Sequence, residues 1–422
     1  MAANQSGNLG NILVLEQMDV ASDFSTALNM NKNISLHVDL STWPVSRVSG
    51  LPIAFHTRGP ISINILAMLQ LVGVLTTPPS LRGASINEYW AWIRYFNAFS
   101  RAPDLLIAST FQDLDSHQKM ILSDDLGVGL PMYWLTGALQ LCEYCDGRYF
   151  AETYSSILSG VAEKAKKRGP KKSPDFVAKD VNGRWHVIEC KGTQGGEKYR
   201  DRQLSEGRAQ KRMIRVIRAR RGERLVCGVA LEFEGSKLSS TLKIIDPPIT
   251  DPISIPERMM DFADEIVFRS MLSTSLRLSG FPDSAQVVSS PKRVVEARAR
   301  SRRQAEETIS IRNLAASAEL KTEVGRRYME IQGRQYVGRK ISLDLPATVS
   351  EDGIRTVSIT QGVNAALIKN LAPENFNPGR ISGDLNAKMS PALPITFEQL
   401  SEYKVRMSVG DMFMSEAAFE ES

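Results

Sequence analysis

The segment Ser173-Pro174-Asp175-Phe176-Val177-Ala178-Lys179-Asp180-Val181-Asn182-Gly183-Arg184-Trp185-His186-Val187-Ile188-Glu189-Cys190-Lys191-Gly192-Thr193 carries most of the chain's legible chemistry. Two apolar-rich runs flank Val181-Asn182-Gly183, the pattern of a β-hairpin. Loop length decides what the hairpin can do. A two-residue Asn182-Gly183 turn sets Asp175 opposite Cys190, on the face away from Glu189, because a one-residue slip flips every side chain. A three-residue loop with Gly183 in the left-handed region sets Asp175 opposite Glu189. In that second register Asp175, Val177, Trp185, Val187, Glu189 and Lys191 share one face, and Phe176, Ala178, His186, Ile188 and Cys190 share the other.

Two acids and a lysine among Val and Trp are costly to bury for packing alone. Divalent-metal chemistry does require such a cluster. Paired carboxylates hold Mg²⁺ or Mn²⁺, which take oxygen ligands, and a neighbouring lysine can orient a water or stabilise developing negative charge.

Pro174-Asp175, then fourteen residues on, Glu189-Cys190-Lys191 with a strand on each half, resembles the PD-(D/E)xK nuclease superfamily, the restriction-endonuclease-like fold. The resemblance covers about residues 121–250, and Gly192-Thr193 extends it to the E-C-K-G-T form of some members. It implies that Asp175 and Glu189 bind the metal and that Lys191 is the catalytic lysine. It also implies an αβ domain with a mixed sheet flanked by helices, and a Mg²⁺-dependent endonuclease, with DNA as the expected substrate. Many proteins with this motif and large accessory regions act in restriction or antiviral defence, restrained by self-association or a protein partner.

The superfamily places a helix after the lysine strand, often with an active-site glutamine. Residues 199–221 read as that helix, with Leu204, Gly207, Met213, Ile214 and Ile217 inside and Arg208, Lys211, Arg212, Arg215 and Arg218 along a basic stripe. Gln203 and Gln210, seven apart, share a face, and either could be the glutamine. An acid upstream usually completes the metal site. Asp124, Asp125, Glu143, Glu152 and Glu163 all qualify by position. Asp125 is preferred, at the start of a helix expected from about Leu130 to Glu143 with Ser123-Asp124-Asp125 as its cap.

Charge agrees with this placement. The 422 residues carry a formal charge of only +5, yet residues 164–221 hold nineteen basic and six acidic residues, +13, which leaves −8 elsewhere. A field so local suits a phosphate backbone. The Lys164–Lys172 segment, with Lys171 and Lys172, and the basic stripe are expected to position it.

Outside this centre, residues 1–120 read as an N-terminal accessory α/β region. It has a strand alternating through Ile34, Leu36, Val38 and Leu40, a buried helix over 61–75, and a second helix over 86–99 whose aromatics are expected in the core. Strands are expected at Arg224–Glu232 and Thr241–Ile245. Residues 251–422 read as helices over 256–278 and 292–330, a hairpin joining Ile341, Leu343 and Leu345 to Val357 and Ile359, a loop over 373–394, and an acidic tail from Ser415.

Composition excludes a disordered chain and a disulfide-stapled scaffold: 42% of residues are hydrophobic, 23% are charged and only 4 are cysteines. Cys142, Cys145, Cys190 and Cys227 read as buried thiols. Neither a P-loop nor a nucleophile-elbow motif is present. The polar N-terminus and the short apolar runs lead to an expectation of a cytoplasmic protein that does not enter membranes. A second reading keeps the nuclease fold only as a platform for nucleic-acid binding or assembly, without catalysis.

Overall fold

The computed structural model describes residues 31–79, 95, 98–159, 173–210, 214–215, 220–246, 253–344, 354–371, 393–401 and 403–421. Side chains of 207–210, 214–215 and a few further positions lie outside that description, as does most of the helix expected over 86–99.

Two sheets organise the chain. The first has seven strands in the order β2-β1-β8-β7-β5-β4-β3. They are β1 (Asn31–Val38), β2 (Gly59–Asn64), β3 (Leu141–Asp146), β4 (Phe176–Asp180), β5 (Trp185–Thr193), β7 (Arg221–Ala230) and β8 (Thr241–Ile245). The short strands β6 (Ile214–Arg215) and β9 (Ile253–Ser254) pair with each other in parallel. β3, β4 and β5 form an antiparallel meander, β7 runs parallel to β5, and β1 runs parallel to β8. The sheet therefore crosses the boundary expected at residue 120, because β1 and β2 from the N-terminal region lie in it.

The hairpin takes the three-residue loop. Phe176 pairs with Ile188 and Lys179 with Trp185, and Asp180 N–H donates to the Arg184 carbonyl. Gly183 has φ +72°, a conformation that costs L-residues with a β-carbon about 1–2 kcal/mol. The same register runs on to place Asp175 opposite Glu189.

Helix α1 (Ile65–Leu75) is buried along its whole length and starts later than expected, because residues 59–64 form β2 first. Asn64 caps it by accepting from Ala67 N–H. Helix α2 (Ser116–Ala138) also departs from expectation: it starts seven residues before Ser123. Asp115 is its cap, accepting from the N–H groups of His117 and Gln118. Ser123-Asp124-Asp125 thus sits mid-helix, and Glu143 lies in β3 rather than at a helix end.

Helix α3 (Gly147–Ser159) follows β3, and α4 (Gly196–Gln210) links β5 to β7. The helix expected over 199–221 therefore ends at Gln210, and Arg215 belongs to β6 instead of a helical stripe. Leu122, Leu126 and Leu130 of α2 pack with Phe176, Ala178, Ile188 and Cys190 on one sheet face. Leu204 of α4 packs with Val177, Trp185, Val187 and Val226 on the other.

Four helices follow: α5 (Met260–Leu278), α6 (Pro282–Ser289), α7 (Lys292–Arg298) and α8 (Arg302–Lys321). α5 closes the second face of the sheet through Met260, Ala263, Ile266 and Val267. The single helix expected over 292–330 is two helices and a strand.

The second sheet is antiparallel, with six strands in the order β10-β11-β12-β15-β14-β13. They are β10 (Arg327–Ile331), β11 (Arg334–Asp344), β12 (Ile354–Asn364), β13 (Ile395–Ser401), β14 (Lys404–Val409) and β15 (Phe413–Glu421), with α9 (Ala365–Leu371) after β12. Ile341 stands opposite Ile359 and Leu343 opposite Val357, as the alternation implied. The acidic tail is corrected: β15 is an interior strand between β12 and β14. Glu416 is neutralised by Lys404 and Arg406, and Glu420 by Lys340. Gln70 of buried α1 donates its amide toward the Val405 and Ser415 carbonyls, joining the two sheets. The fold is thus a mixed α/β one, a seven-stranded mixed sheet with helices beside a separate six-stranded antiparallel sheet.

Candidate active site

Midway along β5, beside the start of β4, the Glu189 side chain is fully buried. Its Oε1 lies 2.6 Å from Lys191 Nζ, and its Oε2 accepts from Asp175 N–H at 3.2 Å. In return, Asp175 Oδ2 accepts from Cys190 N–H at 2.8 Å. Each carboxylate is thus fastened to the other strand's backbone, which fixes both at the open end of the hairpin. Lys191 retains partial solvent exposure. The three residues that the motif singled out are therefore adjacent in space.

The helices close in on this end. Gly192 faces the Ser123 carbonyl and Gly127, and a β-carbon on either glycine would overlap the other's backbone. Two missing side chains let α2 lie directly on β5 and bring Asp124 beside the hairpin. Partial desolvation, opposed by Lys191 and reinforced by Asp175, holds the Asp124 carboxyl above its ordinary value. Asp125, the acid preferred from sequence, instead accepts the Tyr95 hydroxyl at 2.6 Å. The ionisation of Asp124 thus responds to both Lys191 and Asp175.

The structure adds an acid that the motif does not name. Asp146 ends β3 next to Asp175: Gly147 N–H donates to the Asp175 carbonyl, and Asp146 Oδ1 caps α3 through Tyr149 N–H. Desolvation, helped by the Asp175 charge, raises the Asp146 carboxyl. A helix expected up to Glu143 hides its position, because it leaves no strand for the Cys145-Asp146-Gly147 turn to end.

The other upstream candidates point elsewhere. Glu143 pairs with Lys179, which also binds Asp264. Burial alone would lower Lys179, but these two carboxylates hold it well above its ordinary value. Glu152 pairs with Arg148 and Arg298. Glu163, Lys171, Lys172, Lys211 and Arg212 lie outside the described residues, as do the side chains of Arg208, Gln210 and Arg215.

Gln203 is described, and its placement follows from its neighbours. Arg200 and Leu204 sit over Gly228, the β7 residue paired with Lys191. Asp201 reaches Lys243 on β8. The opposite flank of α4, bearing Tyr199 and Gln203, therefore overlooks β5 and the carboxylates. Gln203 Oε1 is buried without a hydrogen-bond partner among the described residues.

Neither a family model, nor a curated protein, nor a solved structure matches the chain.

The donor set suits a hard cation. Asp175 and Glu189 offer carboxylate oxygens, with the carboxyls of Asp124 and Asp146 close enough to couple electrostatically to Asp175. Among the described residues no three His, Cys, Asp or Glu side chains form a ready-made cage. Mg²⁺ does not need one, since it commonly takes one or two carboxylates and completes its shell with waters and substrate phosphate. Cys142, Cys145, Cys190 and Cys227 are buried free thiols, and burial pushes Cys142 up to about 12. None of the described helices is long and apolar enough to cross a membrane.

Proposed function

We propose that this chain is a metal-dependent nuclease of the PD-(D/E)xK kind that hydrolyses phosphodiester bonds, with DNA as its substrate. The observation that carries the reading is the Glu189 carboxylate, fully buried yet held between Asp175 N–H and Lys191 Nζ where β4 begins. A buried acid joined to a second acid and a partly exposed lysine is costly to maintain without a chemical use.

The order of elements supports it. A helix, a strand, a second helix, an antiparallel hairpin and a crossover helix run through α2, β3, α3, β4, β5 and α4, and after the short β6 the chain enters β7, parallel to β5. That order puts acid, acid and lysine on adjacent strands and a glutamine on the crossover helix. In sequence, the +13 window contains β4, β5 and α4.

Asp175 and Glu189 would hold Mg²⁺ or Mn²⁺. The bound cation supplies charge neutralisation at the phosphate oxygens and lowers the pKa of water. Lys191 holds its ammonium proton at Nζ, aimed by Glu189, ready to donate a hydrogen bond to a water or to a phosphate oxygen. Asp124 and Asp146 add negative charge that strengthens cation binding. Gln203 can orient a group at the mouth through its amide.

Purified protein incubated with supercoiled plasmid, single-stranded DNA and RNA, in Mg²⁺, Mn²⁺ or EDTA, tests the reading. Metal-dependent cleavage of DNA is expected. Salt-sensitive binding without a product under either metal would favour the non-catalytic platform instead.

A further inference from the structure

Tyr199 is large, half apolar and 50% exposed on the first turn of α4. It lies one turn before Gln203, on the flank that overlooks β5. The loop beneath it is glycine: a β-carbon on Gly195 would stand 3.2 Å from Tyr199 Cβ, so the backbone packs closely under the ring. Lys198 beside it is exposed, and Arg202, one turn on, is exposed and paired with Glu206. Across the mouth, Gln194 donates its amide to the Lys119 carbonyl, tying this loop to α2. There Met120, one turn before Asp124, is 53% exposed. An aromatic ring and a thioether are therefore exposed on α4 and α2, the two helices that meet the Gln194-Gly195 loop after β5, with cationic side chains beside the ring.

We infer that Tyr199 is a stacking platform for an unstacked base next to the scissile phosphate, so that the preferred substrate is single-stranded or locally unpaired nucleic acid. Every base offers a π-face, and an exposed ring beside lysine and arginine binds base and backbone together. A base inside a duplex cannot lay its face on Tyr199 without leaving the stack. Met120 provides further exposed apolar surface on α2. The inference rests on the proposed nuclease reading and names the substrate form for the same site.

Binding without chemistry separates the two. In EDTA, the affinity of the full chain is measured for a fluorescein-labelled single-stranded oligonucleotide and for a blunt duplex of the same sequence. Tyr199→Ala is expected to weaken single-strand binding about tenfold. Tyr199→Phe should stay within about twofold, and duplex binding should hold in both variants. The Phe variant also controls for folding. Unchanged single-strand affinity in Tyr199→Ala overturns the inference, as does equal loss in the Ala and Phe variants or equal loss on duplex. Absence of binding to either oligonucleotide by the wild type also overturns the inference, whereas the nuclease reading falls only if no cleavage occurs in Mg²⁺ or Mn²⁺.

Discussion

Ser123 and Gly192 meet backbone to backbone, the Ser123 carbonyl occupying the space where a β-carbon of residue 192 would stand. The glycine after the lysine thus lets the helix bearing Asp124 rest on the strand bearing Lys191. Gly192→Ala should force α2 away from β5 and destabilise the fold by about 1–3 kcal/mol, as overpacking does. Urea denaturation measures this. A midpoint equal to wild type would show that the contact is loose.

Asp124 should contribute to cation affinity while Asp125 serves its Tyr95 hydrogen bond. Asp124→Asn is expected to raise the half-saturating Mg²⁺ concentration for cleavage about tenfold, in line with the loss of a group supporting a metal site. Asp125→Asn should leave that concentration unchanged and lower thermal stability instead. The reverse pattern in a Mg²⁺ titration of the two variants would return the third acid to Asp125.

Away from the site, Asp246 gives the fold a pH dependence. Burial raises its carboxyl from an ordinary 3.8 to about 6, against the opposing pull of Arg224 and Arg47. A carboxyl raised on folding binds its proton more tightly in the native state. Its stabilising contribution is therefore complete below about pH 4 and is lost as the pH rises through about 6. Asp246→Asn lacks this titration. Melting curves should show the variant gaining on the wild type between about pH 4.5 and pH 7.5. A constant difference across that range would mean that Asp246 does not titrate there.

The hairpin was legible because its signals are local. Asn182-Gly183 marks the turn and alternation marks the strands, while the register, open between two loop lengths in the sequence, is settled by the pairing of Phe176 with Ile188. The placement of Asp175 opposite Glu189 follows from that pairing. Ile341 opposite Ile359 was legible for the same reason. Asp146 was not, since the helix expected up to Glu143 took in Leu141 and Cys142, the first residues of the strand that Asp146 ends. The start of α2 was misplaced because Ser123-Asp124-Asp125 is as good a cap by composition as Asp115. Only the Asp115 bonds to His117 and Gln118 distinguish them.

Non-local pairing was beyond reach for a different reason. β1 joins the main sheet only through β8, some 200 residues later, and no local pattern announces such a partner. The acidic run at Ser415–Ser422 looked like a solvated tail because its partners, Lys340, Lys404 and Arg406, come from other strands. Paired, Glu416 and Glu420 sit on an interior strand at modest cost.

The most direct test compares Mg²⁺-dependent cleavage of DNA by the wild type and by Asp175→Asn, Glu189→Gln and Lys191→Ala, each verified as folded by its melting curve. The wild type should cut in Mg²⁺ and stop in EDTA, and each variant should lose about a hundredfold or more in rate. Cleavage that persists undiminished in all three variants would contradict the assignment of the site.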